Sequence, residues 1–215
     1  MTTTVWVLSV ALAVTALLNW GSVARGDRVI ERITTPSFIV LLIGLAWSLH
    51  GEGRAPGAPT LTPIIIALGL SLVGDVALLH ATRARFLLGL TAFLLAHIAW
   101  IGAILELPRA EGLPWWLLPT VPVLVLLHAR FGRDIVRRAG SQRLPVFAYQ
   151  VVLMALVLVA AWRGDLLVLL GCFAFLVSDT ILGHDRFVLE RRFAPLLVMV
   201  TYHAAQVLIV VGLLR

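Results

Sequence analysis

The chain has 215 residues, of which 60% are hydrophobic and 13% are charged. A soluble globular domain is about 45–50% apolar and about 25% charged, so composition excludes a water-soluble globule, a disordered chain and a nucleic-acid-binding tail. The chain has 17 basic residues, all of them arginine, and 11 acidic residues, which gives a net charge of +6. What this excess of arginine indicates depends on where the arginines lie along the chain. The single cysteine, Cys172, excludes an intrachain disulfide.

Eight segments are long and apolar enough to cross a bilayer, which takes about 20 residues. They leave only short loops, so the sequence predicts an all-α polytopic membrane protein with eight transmembrane helices in a single domain, residues 1–215. No positive charge precedes the first span, which is therefore expected to be retained rather than cleaved. Pro119 and Pro122 should kink the fifth span. The predicted spans are residues 4–24, 34–50, 60–81, 86–105, 114–131, 145–162, 165–183 and 193–214.

The arginines indicate how these spans are oriented. Thirteen of the 17 arginines lie where spans one, three, five and seven end, and four lie elsewhere. Because positively charged loops remain on the cytoplasmic side, both termini are predicted to face outward from an integral plasma-membrane protein. Losing or adding one span would remove this asymmetry, so the arginine pattern supports eight crossings.

Two carboxylates lie inside predicted spans, where a charged side chain is costly and indicates a functional site by default. Asp75 in span three lies about 12 Å from Arg83, and Asp179 in span seven lies about 10 Å from Arg186, at about 1.5 Å per residue. Both spans run from the outside inward. The two aspartates are therefore predicted at a similar depth, in the cytoplasmic half of the membrane, within reach of one cavity.

Other polar side chains fall near the same depth. His97 lies in the middle of span four, Tyr149 lies early in span six, and Ser178 adjoins the second aspartate. Tyr202 and Gln206 are four residues apart and share one face of span eight. Together these groups predict a lined pocket, although each could also be an interhelical hydrogen-bond partner with no part in chemistry.

A short internal repeat relates the two halves of the chain. Residues 74–80 and 178–184 share Asp, Leu and His at a constant offset of 104 positions. Four spans per half preserve the orientation of the helices, so the sequence predicts two parallel four-helix repeats. In such a repeat the two aspartates would occupy equivalent positions facing a common axis.

An ordered set of residues runs through spans three to eight, namely Gly74, Asp75, Phe86, Gly89, Phe93, His97, Tyr149, Gly171, Phe175, Ser178, Asp179, Tyr202 and Gln206. At these residues the chain resembles the YhhN family of membrane proteins, which includes the lysoplasmalogenases. Thr35-Pro36 stands where that family has Lys-Pro, and Trp100 stands where an aromatic residue, often Tyr, is usual. The three glycines of the set are expected to allow close helix approach rather than to take part in chemistry.

The resemblance implies hydrolysis of the vinyl ether bond of lysoplasmalogens to a fatty aldehyde and a glycerophospho-alcohol. Such a bond is cleaved by protonation of its β-carbon and capture of the resulting oxocarbenium ion by water, in parallel with the two-carboxylate chemistry of glycoside hydrolysis. Asp75 and Asp179 would be the catalytic pair. One would act as the general acid while the other stabilises the cation, and the sequence does not decide which.

The remaining site residues would bind the substrate. His97 and Tyr202 would position water or the phosphodiester, and Tyr149, Gln206 and Ser178 would line the pocket. The expected partners are a lysophospholipid substrate and membrane lipids, with no nucleic acid and no prediction of oligomeric state. No cofactor and no metal are expected.

Two other functions stay open at the level of sequence. Asp75, His97, Asp179 and His203 are chemically suitable zinc ligands, so a metal-dependent lipid hydrolase is one alternative. His203, however, shares no helix face with Tyr202 and is expected to be a packing residue. Paired acids in a parallel repeat would also fit a proton-coupled transporter or a lipid-binding membrane protein.

Overall fold

The structure is a computed structural model and describes residues 2–51, 59–80, 82–108 and 112–215. Within these ranges every regular element is helical and no strand occurs, so the predicted all-α class is confirmed. A π-helical turn, His128–Gly132, follows α5, and a 3₁₀ turn, Gly140–Gln142, precedes α7. The helices are α1 Thr3–Arg25, α2 Arg28–Gly51, α3 Leu61–Leu78, α4 Arg83–Leu105, α5 Leu117–Leu127, α6 Arg133–Arg138, α7 Arg143–Arg163, α8 Leu166–Phe187 and α9 Ala194–Leu214.

In the described part of the chain, seven helices have the length and hydropathy of membrane spans, so the protein is an integral membrane protein. They are α1 to α4, α7 together with the 3₁₀ turn that precedes it, α8 and α9. They correspond to predicted spans one to four and six to eight. Large apolar side chains such as Trp6, Leu17 and Trp47 are exposed on the outside of the bundle, where hydrocarbon would cover them.

The second span begins at Arg28, six residues before the predicted start at residue 34. Gly26 ends α1 in the left-handed conformation at φ 72°. The Asp27 carboxylate then accepts hydrogen bonds from the backbone N–H groups of Val29 and Ile30, at 3.1 and 3.2 Å. This cap satisfies helix N–H groups that would otherwise be unpaired, so α2 starts within the arginine-rich corner. A hydropathy window cannot detect such a cap.

The fifth predicted span, residues 114–131, is divided between α5 and the π-helical turn, and a further short helix, α6, follows it. α5 is 11 residues long and contains Pro122, the π-helical turn follows it directly, and α6 adds six residues. The Gly132 carbonyl accepts a hydrogen bond from the Gln150 side-chain nitrogen at 3.3 Å. A Cβ at Gly132 would lie 2.6 Å from the His128 ring, so a larger residue there would displace that ring. The sequence predicts a kink in this span at Pro119 and Pro122, and the departure from α-helix falls after them, at the π-helical turn.

Contacts at the helix ends show how this segment runs. The Arg163 guanidinium at the end of α7 donates to the Ile104 carbonyl at 3.3 Å and to the Leu105 carbonyl. α4 and α7 therefore end at the same level. The Trp116 indole donates to the Ala161 carbonyl at 3.2 Å, so α5 begins at that level too. The chain after α5 must then run antiparallel to α7, back to the opposite end of the bundle, where α7 begins at Arg143.

Packing joins the helices in pairs around a buried aromatic centre. α3 packs along α4, α8 packs along α9, and α4 also packs on α7. At Gly171 an added Cβ would lie 2.7 Å from Ile209 of α9. The expectation that this glycine allows close helix approach is confirmed. Trp100 and Phe175 are fully buried in the centre of the resulting core.

Candidate active site

Asp75 is held in the core by a chain of two hydrogen bonds from α9. The Tyr202 hydroxyl donates to the Asp75 carboxylate at 2.9 Å, and the Gln206 side-chain nitrogen donates to the Tyr202 hydroxyl at 3.2 Å. Asp75 is 6% exposed, and the other two residues are buried as well. Tyr202 and Gln206 lie one helical turn apart, which places both on the same face of α9.

Asp179 has a different set of neighbours, on α7 and α4. The Tyr149 hydroxyl donates to the Asp179 carboxylate. The Nε2 atom of His97 lies 3.9 Å from the same carboxylate oxygen. Because the Asp179 side chain is 12% exposed, it is less enclosed than Asp75.

His97 is a fully buried imidazole whose two nitrogens form no hydrogen bond with any described residue. Its ring packs edge-on against Tyr149 and Phe175, with centroids 5.3 and 4.6 Å apart. A buried polar group without a partner costs about 1–3 kcal/mol, so it calls for an explanation. The nearest acidic group is the Asp179 carboxylate, so His97 lies beside that residue, although it lines none of the cavities around it.

A glycine lets an aromatic ring reach the site. A Cβ at Gly74 would lie 2.5 Å from the Phe93 ring, so only glycine allows Phe93 to lie against α3 beside Asp75. The Phe93 ring contacts Tyr202 and Phe175 edge-on at 5.8 and 6.5 Å. At Gly89 a Cβ would lie 2.8 Å from the side chain at position 78, so these glycines also have the expected packing role.

Both aspartates line one cavity of about 160 Å³, here called the polar chamber. Glu31 and Thr35 of α2 and Asp185 of α8 also line it. A second cavity of about 70 Å³, the apolar chamber, lies among α4, α5, α7 and α8 and is lined mostly by Leu, Ile, Val, Met and Phe side chains. Asp179 and Phe93 line both chambers, so Asp179 lies where they meet.

Three further predicted site residues differ in which chamber they line. Ser178 lines the polar chamber, and its hydroxyl donates to the Val198 carbonyl at 3.1 Å, which ties α8 to α9. Tyr149 lines the apolar chamber. Gln206 lines neither of the two chambers and reaches the site only through Tyr202.

The zinc ligand set suggested by sequence does not assemble. The Nδ1 atom of His203 accepts a hydrogen bond from the Trp20 indole at 3.1 Å, and its ring stacks on Phe38 with centroids 3.8 Å apart. His203 is therefore a packing residue between α1, α2 and α9. Among the described residues, no three His, Cys, Asp or Glu side chains converge in a way that could hold a metal ion.

Two carboxylates of the polar chamber, Glu31 and Asp185, were not predicted from the sequence. Both lie near the ends of predicted spans, where a charged residue is ordinary. A helical register does indicate one of them, because Ser178, Leu182 and Asp185 follow the i, i+4, i+7 spacing of a single helix face. All three line the polar chamber. Nothing in the sequence alone indicates that Glu31 faces the same space.

The geometry defines an all-helical membrane protein with two separately hydrogen-bonded aspartates in its core. The sequence profile of the YhhN family matches residues 30–213, and the chain belongs to that family. The resemblance inferred from the residues is thereby confirmed.

Curated relatives cover most of the chain. It is 32% identical over 183 residues to "Lysoplasmalogenase TMEM86B" of Mus musculus, covering 82% of this chain and 72% of that protein. It is 32% identical over 216 residues to "Lysoplasmalogenase" of Mycobacterium tuberculosis, covering 94% and 78%. For "Lysoplasmalogenase TMEM86B" of Homo sapiens, the values are 35% over 153 residues, 69% of this chain and 62% of the human protein. No solved structure matches the chain.

Proposed function

We propose that this protein hydrolyses the vinyl ether bond of lysoplasmalogens, releasing a fatty aldehyde and a glycerophospho-alcohol. Family membership and the relatives' names support this reaction class. The observation that carries the proposal is the junction at Asp179, where a chamber with two aspartates meets an apolar chamber. The apolar chamber would take the part of the alkenyl chain nearest the vinyl ether, and the polar chamber would take water.

The proposed reaction needs one proton donor, one anion and one water. A protonated aspartate gives its proton to the β-carbon of the vinyl ether, and the adjacent carbon becomes an oxocarbenium ion that the other carboxylate stabilises. Water adds to this carbon and returns a proton to the first aspartate. The resulting hemiacetal then splits into the aldehyde and the alcohol, so the acid is regenerated and the atoms balance.

The hydrogen bonds favour Asp179 as the acid and Asp75 as the stabilising carboxylate. An amide nitrogen can only donate, so Gln206 occupies an acceptor position of the Tyr202 hydroxyl and directs that hydroxyl's hydrogen to Asp75. Asp75 is thus held as an acceptor. The Tyr149 hydroxyl receives no hydrogen bond from a described residue, so it can turn to accept a hydrogen bond from a protonated Asp179 as well as donate to the carboxylate.

The other site residues take supporting roles in this proposal. His97, beside the Asp179 carboxylate, would position the attacking water, together with Tyr202. Tyr149 would line the space for the alkenyl chain, Gln206 would hold Tyr202, and Ser178 would line the water-filled side. None of these roles requires a metal or a cofactor.

We also propose that the chain crosses the membrane eight times, with residues 114–131 as the fifth crossing in chain order, both termini outside and the site in the cytoplasmic half of the plasma membrane. The return of the chain along α7 supports the extra crossing. The arginine distribution supports the orientation. The proposed parallel repeat is supported by Gly74 and Ser178, which lie 104 positions apart and each contact the following helix.

A product assay tests the proposed function. Purified protein is mixed with a lysoplasmalogen and, separately, with an ester-linked lysophospholipid of the same chain length and head group, and free aldehyde and free fatty acid are measured. We expect aldehyde from the first and no hydrolysis of the second. Lipid movement across liposomes without aldehyde would instead favour the transporter alternative and reject the enzyme.

A further inference from the structure

A third cavity of about 250 Å³ lies on the lipid side of the site, between the π-helical turn and α8. Leu127, Leu176 and Thr180 line both this cavity and the apolar chamber, so the two spaces are neighbours. Val177, which is 41% exposed, also lines it, so the cavity faces the region that lipid occupies. We call this cavity the lateral portal.

The portal carries basic groups at the end nearest the cytoplasmic boundary. Arg191 and His184 line it there, together with Phe131 and Asp185. The polar chamber has a different character, because its charged lining residues in the described part of the chain are all acidic: Glu31, Asp75, Asp179 and Asp185. The rim sets Arg191 against a single carboxylate, Asp185, so an anionic phosphodiester is held more favourably at the rim of the portal than in the polar chamber.

Arg191 is held at this rim by its backbone. Its N–H donates to the Asp185 carboxylate at 2.7 Å, and its carbonyl accepts a hydrogen bond from the Ala194 N–H at 3.0 Å. Its guanidinium forms no hydrogen bond or ion pair with a described residue. The adjacent Arg192 differs, because its guanidinium lies over the Phe193 ring at 5.5 Å. A free guanidinium on a fixed backbone is a suitable phosphate ligand.

The spacing along α8 matches the substrate class. Five residues separate Asp179 from His184, which is a rise of about 7.5 Å at about 1.5 Å per residue. Seven bonds separate the vinyl carbon that receives the proton from the phosphorus atom of a lysoplasmalogen, which is about 9 Å when extended, at ordinary bond lengths, and the length of an arginine side chain covers the difference. A lipid with its vinyl ether at Asp179 thus has its phosphate at the level of the portal rim.

We propose that the lateral portal is the substrate entrance and that Arg191, with His184 beside it, binds the phosphate of the lysophospholipid. The inference rests on the proposed function and deepens it by assigning the phosphate subsite. The alkenyl chain enters between the π-helical turn and α8 and moves into the apolar chamber, while the phosphate stays at the membrane boundary. Arg191 is then a specificity-determining residue that separates phospholipids from neutral glycerol ethers.

The test uses two ligands that the proposed reaction cannot cleave, a saturated alkyl-ether lysophosphocholine and the alkylglycerol of the same chain. Binding of each to the purified protein in nanodiscs is measured for Arg191→Gln and for its neighbour Arg192→Gln, which loses the same charge. We expect Arg191→Gln to weaken lysophosphocholine binding about tenfold, as loss of a charge-assisted hydrogen bond would. Alkylglycerol binding should not change, and Arg192→Gln should bind both ligands as the wild type does.

Equal losses in the two variants, or an Arg191→Gln loss shared by the alkylglycerol, would overturn the proposal. Because the ligands are not cleaved, the result does not depend on activity. If the wild type makes no aldehyde but Arg191 still selects the phospholipid, the proposed function fails and the phosphate subsite stands. If aldehyde forms while the two variants bind alike, only the phosphate subsite fails.

A second pair of variants tests the entrance itself. Val177→Trp places a large ring in the portal, and Leu170→Trp places the same ring seven residues earlier on the same face of α8, outside it. Both native side chains are partly exposed, at 41% and 49%, so neither change has to disrupt the core. We expect kcat/KM for lysoplasmalogen to fall about tenfold only for Val177→Trp. Similar values for the two variants would reject the entrance.

Discussion

At the scale of single residues, each central aspartate has one tyrosine, and the two tyrosines differ in what holds them. Gln206 fixes the direction of the Tyr202 hydroxyl toward Asp75, whereas Tyr149 has no such support among the described residues. Hydrogen bonds to a charged group contribute about 1.5–3 kcal/mol each, so this difference is large enough to support the different roles proposed for two chemically similar carboxyls.

Asp75→Asn and Asp179→Asn should each reduce turnover at least about a hundredfold, because a general acid or a charge-stabilising group contributes that much or more. Asparagine keeps the size of the side chain and an oxygen for the tyrosine hydroxyl, so both variants should purify as folded protein in detergent. Aldehyde release under saturating substrate measures the loss. Near-normal turnover in either variant would remove that aspartate from the mechanism.

The same two variants separate the proposed roles when a cationic ligand is used. A lysophospholipid analogue with a protonated amine in place of the vinyl ether resembles the oxocarbenium ion. Asp75→Asn should weaken its binding about tenfold or more, since the stabilising carboxylate is lost, and Asp179→Asn should change binding less than about threefold. The reverse order would exchange the roles of the two aspartates.

At the scale of helices, the α3–α4 contact positions the site. Phe93 reaches α3 only because position 74 is glycine, and Phe93 in turn packs on Tyr202, which holds Asp75. The contact between α3 and α4 is thus linked, through the Phe93 ring and Tyr202, to the hydrogen bond that the Asp75 carboxylate accepts. Protein interiors pack closely, so a single added methyl group at this contact must move one of the helices or the ring.

Gly74→Ala should therefore destabilise the protein by about 1–3 kcal/mol and reduce turnover, as overpacked sites do. The matched control is Gly69→Ala in the same helix, where an added Cβ meets nothing within 4 Å. Gly69→Ala should leave stability unchanged or raise it, because alanine favours the helix. Thermal unfolding in detergent compares the two variants, and equal midpoints would contradict the assigned packing role.

Sequence alone predicted the helices of the fold better than the contacts that join them. Hydropathy reports transfer of side chains to hydrocarbon, so it found the positions of seven helices and the two aspartates. It could not report the Asp27 cap that starts α2 early, the π-helical turn at Gly132, or the pairing of Tyr149 with Asp179 rather than Asp75. These depend on hydrogen bonds and helix contacts between residues that are distant in the chain.

At the scale of the whole molecule, the direction of residues 106–142 determines the topology. With that segment as a crossing, eight spans bring both termini to one side. If it stayed on one side, α4 and α7 could not run in parallel, as the bonds from Arg163 require. The hydrogen bonds of Arg163, at the end of α7, therefore support eight crossings rather than seven.

Single cysteines test this topology in intact cells with a thiol reagent that does not cross membranes. Thr4→Cys and Arg215→Cys should be labelled, and Ser141→Cys, in the 3₁₀ turn, should be labelled only after lysis. All three positions are exposed, and the native Cys172 is buried and should give a low background. Labelling of only one of the two terminal positions would indicate an odd number of crossings.

The meeting of two unlike chambers at Asp179 has a consequence for what happens after bond cleavage. One product of the proposed reaction dissolves in hydrocarbon and the other dissolves in water. An aldehyde formed with its chain among the leucines of the apolar chamber would pass into the bilayer, whereas the glycerophospho-alcohol would diffuse into the aqueous phase. The two fragments would thus be extracted into separate phases, so neither would compete with the next substrate for the carboxyls at the junction.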